Sequence, residues 1–167
     1  MVRTTTATPD RTLLLRFLDD AYDHKAWHGP NLKGAIRRIA PDQAVWRPRP
    51  GRRNIAEIVL HCAYWKYAVR RRIRGDRRGS FPLKGSNWFS VPPQLAQSAW
   101  RDYLAILDAE HAALREAVAN GRWSALTSGP GGGRNAPAQH VYGAALHDIY
   151  HAGQIQTLKA LHKARGG

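Results

Sequence analysis

The stretch His147-Asp148-Ile149-Tyr150-His151-Ala152-Gly153-Gln154-Ile155 sets how this chain is read. Its two histidines are four residues apart, so on a helix they stand one turn apart on the same face. That is the spacing at which two imidazoles on one helix chelate a metal, as in zincin helices. Extending the helical wheel places His140 within about 40° of both. Gly143, Leu146, Tyr150, Gln154, Leu158 and Leu161 fall in the same sector, which is therefore expected to face inward, with Asp148 and Lys159 pointing elsewhere. Imidazoles on a core-facing sector need partners, because a buried polar group left unsatisfied is costly. Spacing alone underdetermines a metal site, and a third ligand has to come from another helix. Two residues compete for that place: His61, on the flank of an apolar stripe, and His111, squarely within one. The bland reading of either is a core histidine bonded to a carbonyl or a tyrosine hydroxyl.

Working outward, the helix around these residues is expected to run from Pro137 to roughly Lys163. Before it, Trp100, Leu104, Leu107, His111, Leu114 and Val118 form a stripe on a helix introduced by Pro92 and Pro93 and stopped at Asn120-Gly121. Earlier still, Asn54-Ile55-Ala56-Glu57 reads as a capping box. The helix behind it carries Ile55, Ile58, Cys62, Trp65, Val69 and Ile73, and stops at Gly75. Thr8-Pro9-Asp10 opens a first helix through Leu14, Phe17, Leu18 and Ala21. A further helical piece is expected from Pro30 to Ile39, followed by a linker over Pro41 and 47–53. Residues 75–93 lack any period and read as a long connection, and Ser128 to Arg134 as a glycine-rich loop. No stretch alternates long enough to make a sheet. The expectation is all-α: a four-helix bundle with a long crossover connection.

Composition agrees with one folded domain over 1–167, with 1–8 flexible and 164–167 a tail. The chain has 43% hydrophobic and 23% charged residues, which excludes wholesale disorder. The run Leu13 to Leu15 is broken by Arg16, so neither a membrane span nor a signal peptide fits. The single cysteine, Cys62, cannot form an internal disulfide, which points to a cytoplasmic location. The net charge of +14 is concentrated: residues 47–84 hold 12 Lys and Arg against 2 Asp and Glu, whereas the flanking segments each hold 7 and 5. Arg70, Arg71, Arg72, Arg74, Arg77 and Arg78 centre this patch. It suits an anionic small substrate, nucleic acid or an anionic membrane surface, or is simply a solvated helix end favoured by the macrodipole.

Taken together, His147 to Ile155, the Leu60-His61-Cys62-Ala63 segment, and a Trp-Arg-Pro-x-Pro-Gly run at 46–51 resemble the DinB/YfiT-like family. The resemblance implies a four-helix bundle in up-down-down-up order, with a metal triad of His61, His147 and His151. It thereby favours His61 over His111 as the third ligand. It also implies metal-dependent chemistry of thiol S-transferase or hydrolase type, a low-molecular-weight thiol as cofactor, and a homodimer.

Three imidazoles leave a divalent ion with an open position, and imidazole suits Zn, Ni or Fe. Pocket or supporting positions are Glu57, His111, His140, Tyr150, Gln154 and Trp88. Glu57, one turn before His61, is placed to orient it or to act as a base, but the capping box explains it without catalysis, and Gly153 is explained by close helix packing. Cys62 reads as a buried, inert thiol. The expected partner is a small molecule, anionic in keeping with the patch. The alternative reading is a non-enzymatic nucleic-acid-binding module with a structural metal, using Tyr64, Trp65 and Tyr67 among the arginines.

Overall fold

The computed structural model describes residues 10–77, 79–122, 126 and 136–165. Among these, no strand is present and six helices follow in order: α1 (Arg11–Tyr22), α2 (Leu32–Ile36), α3 (Pro41–Val45), α4 (Ile55–Arg74), α5 (Gln97–Asn120) and α6 (Pro137–Ala164). The expected flexible start at 1–8, Arg78, the loop at 128–134 and the last two residues of the tail lie outside the described residues.

Local chemistry explains most boundaries. Asp10 caps α1 by accepting the Thr12 N–H at 2.9 Å. Asn54 accepts the Glu57 N–H at 2.8 Å while Glu57 accepts the Asn54 N–H, so both arms of the capping box close the start of α4. Gly75 ends α4 at φ 72°, a left-handed conformation that glycine adopts without a Cβ penalty. Gly121 follows α5 for another reason. Its φ is −65°, and a Cβ there would sit 2.5 Å from the Ala117 carbonyl oxygen, so the residue is needed for close approach. Where one helical piece was expected from Pro30 to Ile39, the chain instead makes two short helices. Asn31 delays the start of α2 by capping it, Arg37 turns extended after Ile36, and Pro41 opens α3 within the expected linker. Likewise α5 begins at Gln97, beyond Pro92 and Pro93.

The four longer helices pack in a closed ring: α4 lies against α5 and α6, and α1 lies against the same two. Short α2 rests on α6, and α3 on α4. The core has two parts. One gathers Ile58, Val59, Leu60, Trp100, Leu107 and Ile155; the other gathers Leu18, Val69, Ile73, Leu114, Val141 and Ala145. Between them in sequence, α4 contributes Lys66, α5 His111 and α6 Asp148, all buried. A polar layer thus divides the core. Lys66 and Asp148, each 1% exposed, form an ion pair there, and Lys66 also lies 4.9 Å from the Tyr22 ring centroid. Tyr22 stacks on His111 at 3.6 Å.

The inward face of α6 corrects the sequence reading. Val141, Ala144, Ala145, Asp148, Ala152 and Ile155 are buried, whereas Leu146, Tyr150 and Leu161 are exposed. Weighting leucines rotated the expected face by roughly a quarter turn or more. The actual face is small and alanine-rich, which lets helices approach closely, and Asp148 enters it because Lys66 compensates the charge. Gly143 and Gly153 meet open space, so Gly153 serves no close packing. Lys159 reaches the Ala35 carbonyl of α2 at 3.0 Å.

The connection between α4 and α5 is pinned by its aromatics. Phe81 and Phe89 lie 5.0 Å apart and pack on Tyr64, with Phe81 also on Tyr67. Tyr64 and Tyr67 are therefore occupied with holding this connection. No helix among the described residues is long and apolar enough to cross a membrane.

Candidate metal centre

His61 is held on the buried side of α4, and His147 and His151 stand at the edge of the inward face of α6. Because α4 packs on α6, the three imidazoles meet: His147 Nε2 is 3.0 Å from His61 Nε2 and 3.0 Å from His151 Nε2. The neighbours decide which nitrogens carry protons. The Asn87 backbone oxygen, 2.8 Å from His61 Nδ1, can only accept, so Nδ1–H donates and the neutral ring keeps its lone pair on Nε2. His151 Nδ1 likewise donates to Gln154 Oε1 at 2.7 Å, while the Gln154 amide nitrogen donates to the Tyr150 hydroxyl at 2.8 Å. Two lone pairs therefore point into one spot, and His147 can offer a proton to only one of them. A cation at that spot satisfies all three, so the donor set fits a divalent metal with its orientation fixed by outer partners.

The electrostatics keep these ligands in the metal-binding form. Burial, with help from His151, His61 and Lys66, lowers the His147 pKa to about 3. Burial lowers His151 to about 4 and depresses His61 as well. All three rings are neutral lone-pair donors at neutral pH.

A cavity of about 650 Å³ opens in front of the cluster. Its floor is His61, His147 and His151; Trp88, Tyr150, Gln154, Ile58 and Leu158 line it, and Arg49, Arg52 and Arg53 stand on one wall. Trp88 stacks on His61 at 3.8 Å, almost parallel. A second triple, Cys62, His147 and Asp148, also brings ligand atoms within 4.8 Å of one another. Burial pushes the Cys62 thiol well up, and Asp148 is already committed to Lys66, so this triple is the poorer donor set.

Two supporting positions, His111 and His140, lie away from this cavity, and Glu57 has the role its capping box indicated. His111 is not on the cavity wall. It is buried against Tyr22, with Nδ1 lacking a hydrogen-bond partner. His140 faces a smaller cavity of about 270 Å³, shared with His147 and Trp65, where Arg72 approaches its ring at 3.1 Å. Glu57 is spent on the capping box and on Arg47, which donates to its two oxygens at 2.9 and 2.7 Å. Burial alone would raise the Glu57 carboxyl, but the Arg47 and Asn54 bonds bring it below its ordinary value. Sequence reasoning missed Asn87 and the arginine wall. The one available signal for Asn87 was turn chemistry: Gly85-Ser86-Asn87 includes a residue type that tolerates the left-handed φ of 62° found there.

Four long helices packed in a ring, with three histidines brought together where α4 meets α6, define a helical protein with a cluster that could hold a metal ion. The chain belongs to the DinB superfamily, whose family model matches residues 26–155. No curated protein and no solved structure matches it.

Proposed function

We propose that this protein is a metal-dependent enzyme that acts as a homodimer on a small molecule, with His61, His147 and His151 holding one Zn, Ni or Fe ion. The observation that carries this reading is the convergence of Nε2 lone pairs, with tautomers set by Asn87 and Gln154, on the floor of a substrate-sized cavity. The ring packing of α1, α4, α5 and α6 supports a four-helix bundle in up-down-down-up order, with 75–93 as the crossover.

When bound, the ion supplies Lewis acidity and lowers the pKa of a water or thiol in its open position. The chain supplies neutrality and orientation of the ligands, and Trp88 and Leu158 give the cavity apolar lining. Between the two chemistries, the lining favours thiol transfer. Hydrolysis asks a group to take a proton from water and return one to the leaving group. The cavity lining contains no Asp or Glu, and its histidines are committed as ligands. In transfer of a thiol to an electrophile the C–S bond forms as an anionic leaving group such as halide departs and the thiol proton passes to solvent, so no group has to return a proton, which suits this lining.

Elemental analysis of protein purified without added metal tests the centre. One divalent ion per chain is expected. His61→Ala, His147→Ala or His151→Ala should each lose it, whereas His24→Ala, His28→Ala, His162→Ala, His111→Ala and His140→Ala should keep it. A chain that takes up no ion, or that keeps it in His61→Ala and loses it in His111→Ala, contradicts the assignment. With metal loaded, conjugation of cysteine to a chloro-dinitrobenzene above the uncatalysed rate supports transfer, and cleavage of nitrophenyl acetate alone supports hydrolysis.

A further inference from the structure

One wall of the cavity has a chemistry that a metal centre does not require. It comes from the segment after α3, and Arg47 is what fastens it. The Arg47 guanidinium grips both Glu57 oxygens and also donates to the Arg52 backbone oxygen, which ties the segment to the start of α4. That anchoring places Pro48, Arg49, Arg52 and Arg53 on the cavity wall. Arg53 lies 4.5 Å over the Trp88 ring, itself stacked on His61. Arg53 also stands 3.8 Å from Glu57. The side chains of Arg49 and Arg52 have no ion pair or hydrogen bond among the described residues, and both are exposed.

Four of the other described arginines of the basic segment are engaged elsewhere, while Arg77 is exposed away from this wall. Arg70 pairs with Glu110 at 3.0 Å, Arg71 lies over Tyr67, Arg72 meets His140, and Arg74 stands 3.9 Å from Asp76. Arg49 and Arg52 thus bring uncompensated charge to the cavity. Three guanidinium groups among thirteen lining residues, with no carboxylate opposite, give a positive potential that apolar walls focus inward. A guanidinium fork matches a carboxylate or a phosphate in two-pronged geometry.

We propose that Arg49 and Arg52 form an anion-recognition subsite at the mouth of this cavity, and that the substrate is a small organic anion. Its acidic group sits on the two arginines, and its apolar body lies against Trp88, Ile58 and Leu158 on the way to the histidines. This rests on reading the cavity as the substrate site of the proposed enzyme.

The test uses the zinc-loaded full chain and calorimetric titration with benzoate, phenylphosphonate and the neutral benzyl alcohol. At least one anion should bind about tenfold more tightly than the alcohol, and Arg49→Gln/Arg52→Gln should abolish that preference. Zinc content and alcohol binding should stay unchanged, because both side chains project from the surface. The anion that loses more in the double variant identifies carboxylate or phosphate as the recognised group. Repeating the titrations in His147→Ala separates the arginines from the ion. An anion preference that persists there and still depends on Arg49 and Arg52 supports the subsite even where the metal reading fails. The proposal is overturned if the double variant binds the anions as wild type does, or if the preference disappears with the ion. Nanomolar, steeply salt-dependent binding of a random DNA duplex, lost in the double variant, would also overturn it by making these arginines a nucleic-acid surface.

Discussion

Protonating His111 would put a cation into a buried site that already holds Lys66 and Arg115 nearby, with the Tyr22 ring stacked on it. Burial and these positive neighbours lower its pKa to about 3, against roughly 6.5 in an unfolded chain. Between those values the unfolded state binds the proton and the folded state does not, so stability rises with pH. The contribution is fully present above about 6.5 and is lost as pH falls toward 3. His147 and His151 act with the same sign in the metal-free protein. The urea midpoint of metal-free protein should therefore drop between pH 7 and 5. His111→Phe keeps a ring against Tyr22 but cannot titrate, and should flatten the drop by up to about 1.4 kcal/mol per pH unit. Identical slopes in the two proteins would show that His111 is not a source of this pH dependence.

At the scale of elements, the connection between α4 and α5 matters because it completes a site built by two helices. His61 is oriented by Asn87, 26 residues further along the chain, and the Asn87 side chain also accepts from Trp65 Nε1 at 3.0 Å. Asn87→Val puts a β-branched residue at a left-handed φ, which shifts the carbonyl that fixes the His61 tautomer. Zinc affinity should fall about 10- to 100-fold in this variant, and Asn87→Gly should retain most of it. Competition with a chromophoric chelator reads both, and equal losses would mean the backbone conformation is not what matters. Only part of this architecture was legible beforehand. Helical spacing found the His147 and His151 pair, the resemblance selected His61, and cap chemistry placed the start and end of α4. The Asn87 contact was not legible, because a backbone carbonyl carries no residue identity. Nor was the face of α6, because a buried aspartate reads as outward until its lysine partner on α4 is known. The arginine wall was visible as charge, but not as a wall, until Arg47 was seen to bind Glu57.

At the scale of the whole molecule, α1 and α6 expose large apolar side chains among the described residues. Leu13 and Phe17 on α1, and Tyr142, Leu146, Tyr150 and Leu161 on α6, are all more than a third exposed, with Phe17 and Tyr142 in edge contact at 5.4 Å. Exposed apolar side chains of this kind on two neighbouring helices suit a second copy of the chain, since exposed apolar patches mark association sites. Sedimentation should give a dimer at micromolar concentration, and Leu146→Asp should give a monomer with its metal content intact. A wild-type monomer under those conditions would rule out the pairing. The polar layer has a further meaning at this scale. Lys66 lies five residues beyond His61, and Asp148 directly follows His147. A slip of α6 along α4 by one helical turn would separate the histidines and, in the same movement, strand two unpaired charges in an apolar interior. The ion pair thus acts as an alignment key between the two helices: misregistered packings that would scatter the ligands are also the ones that the charges forbid.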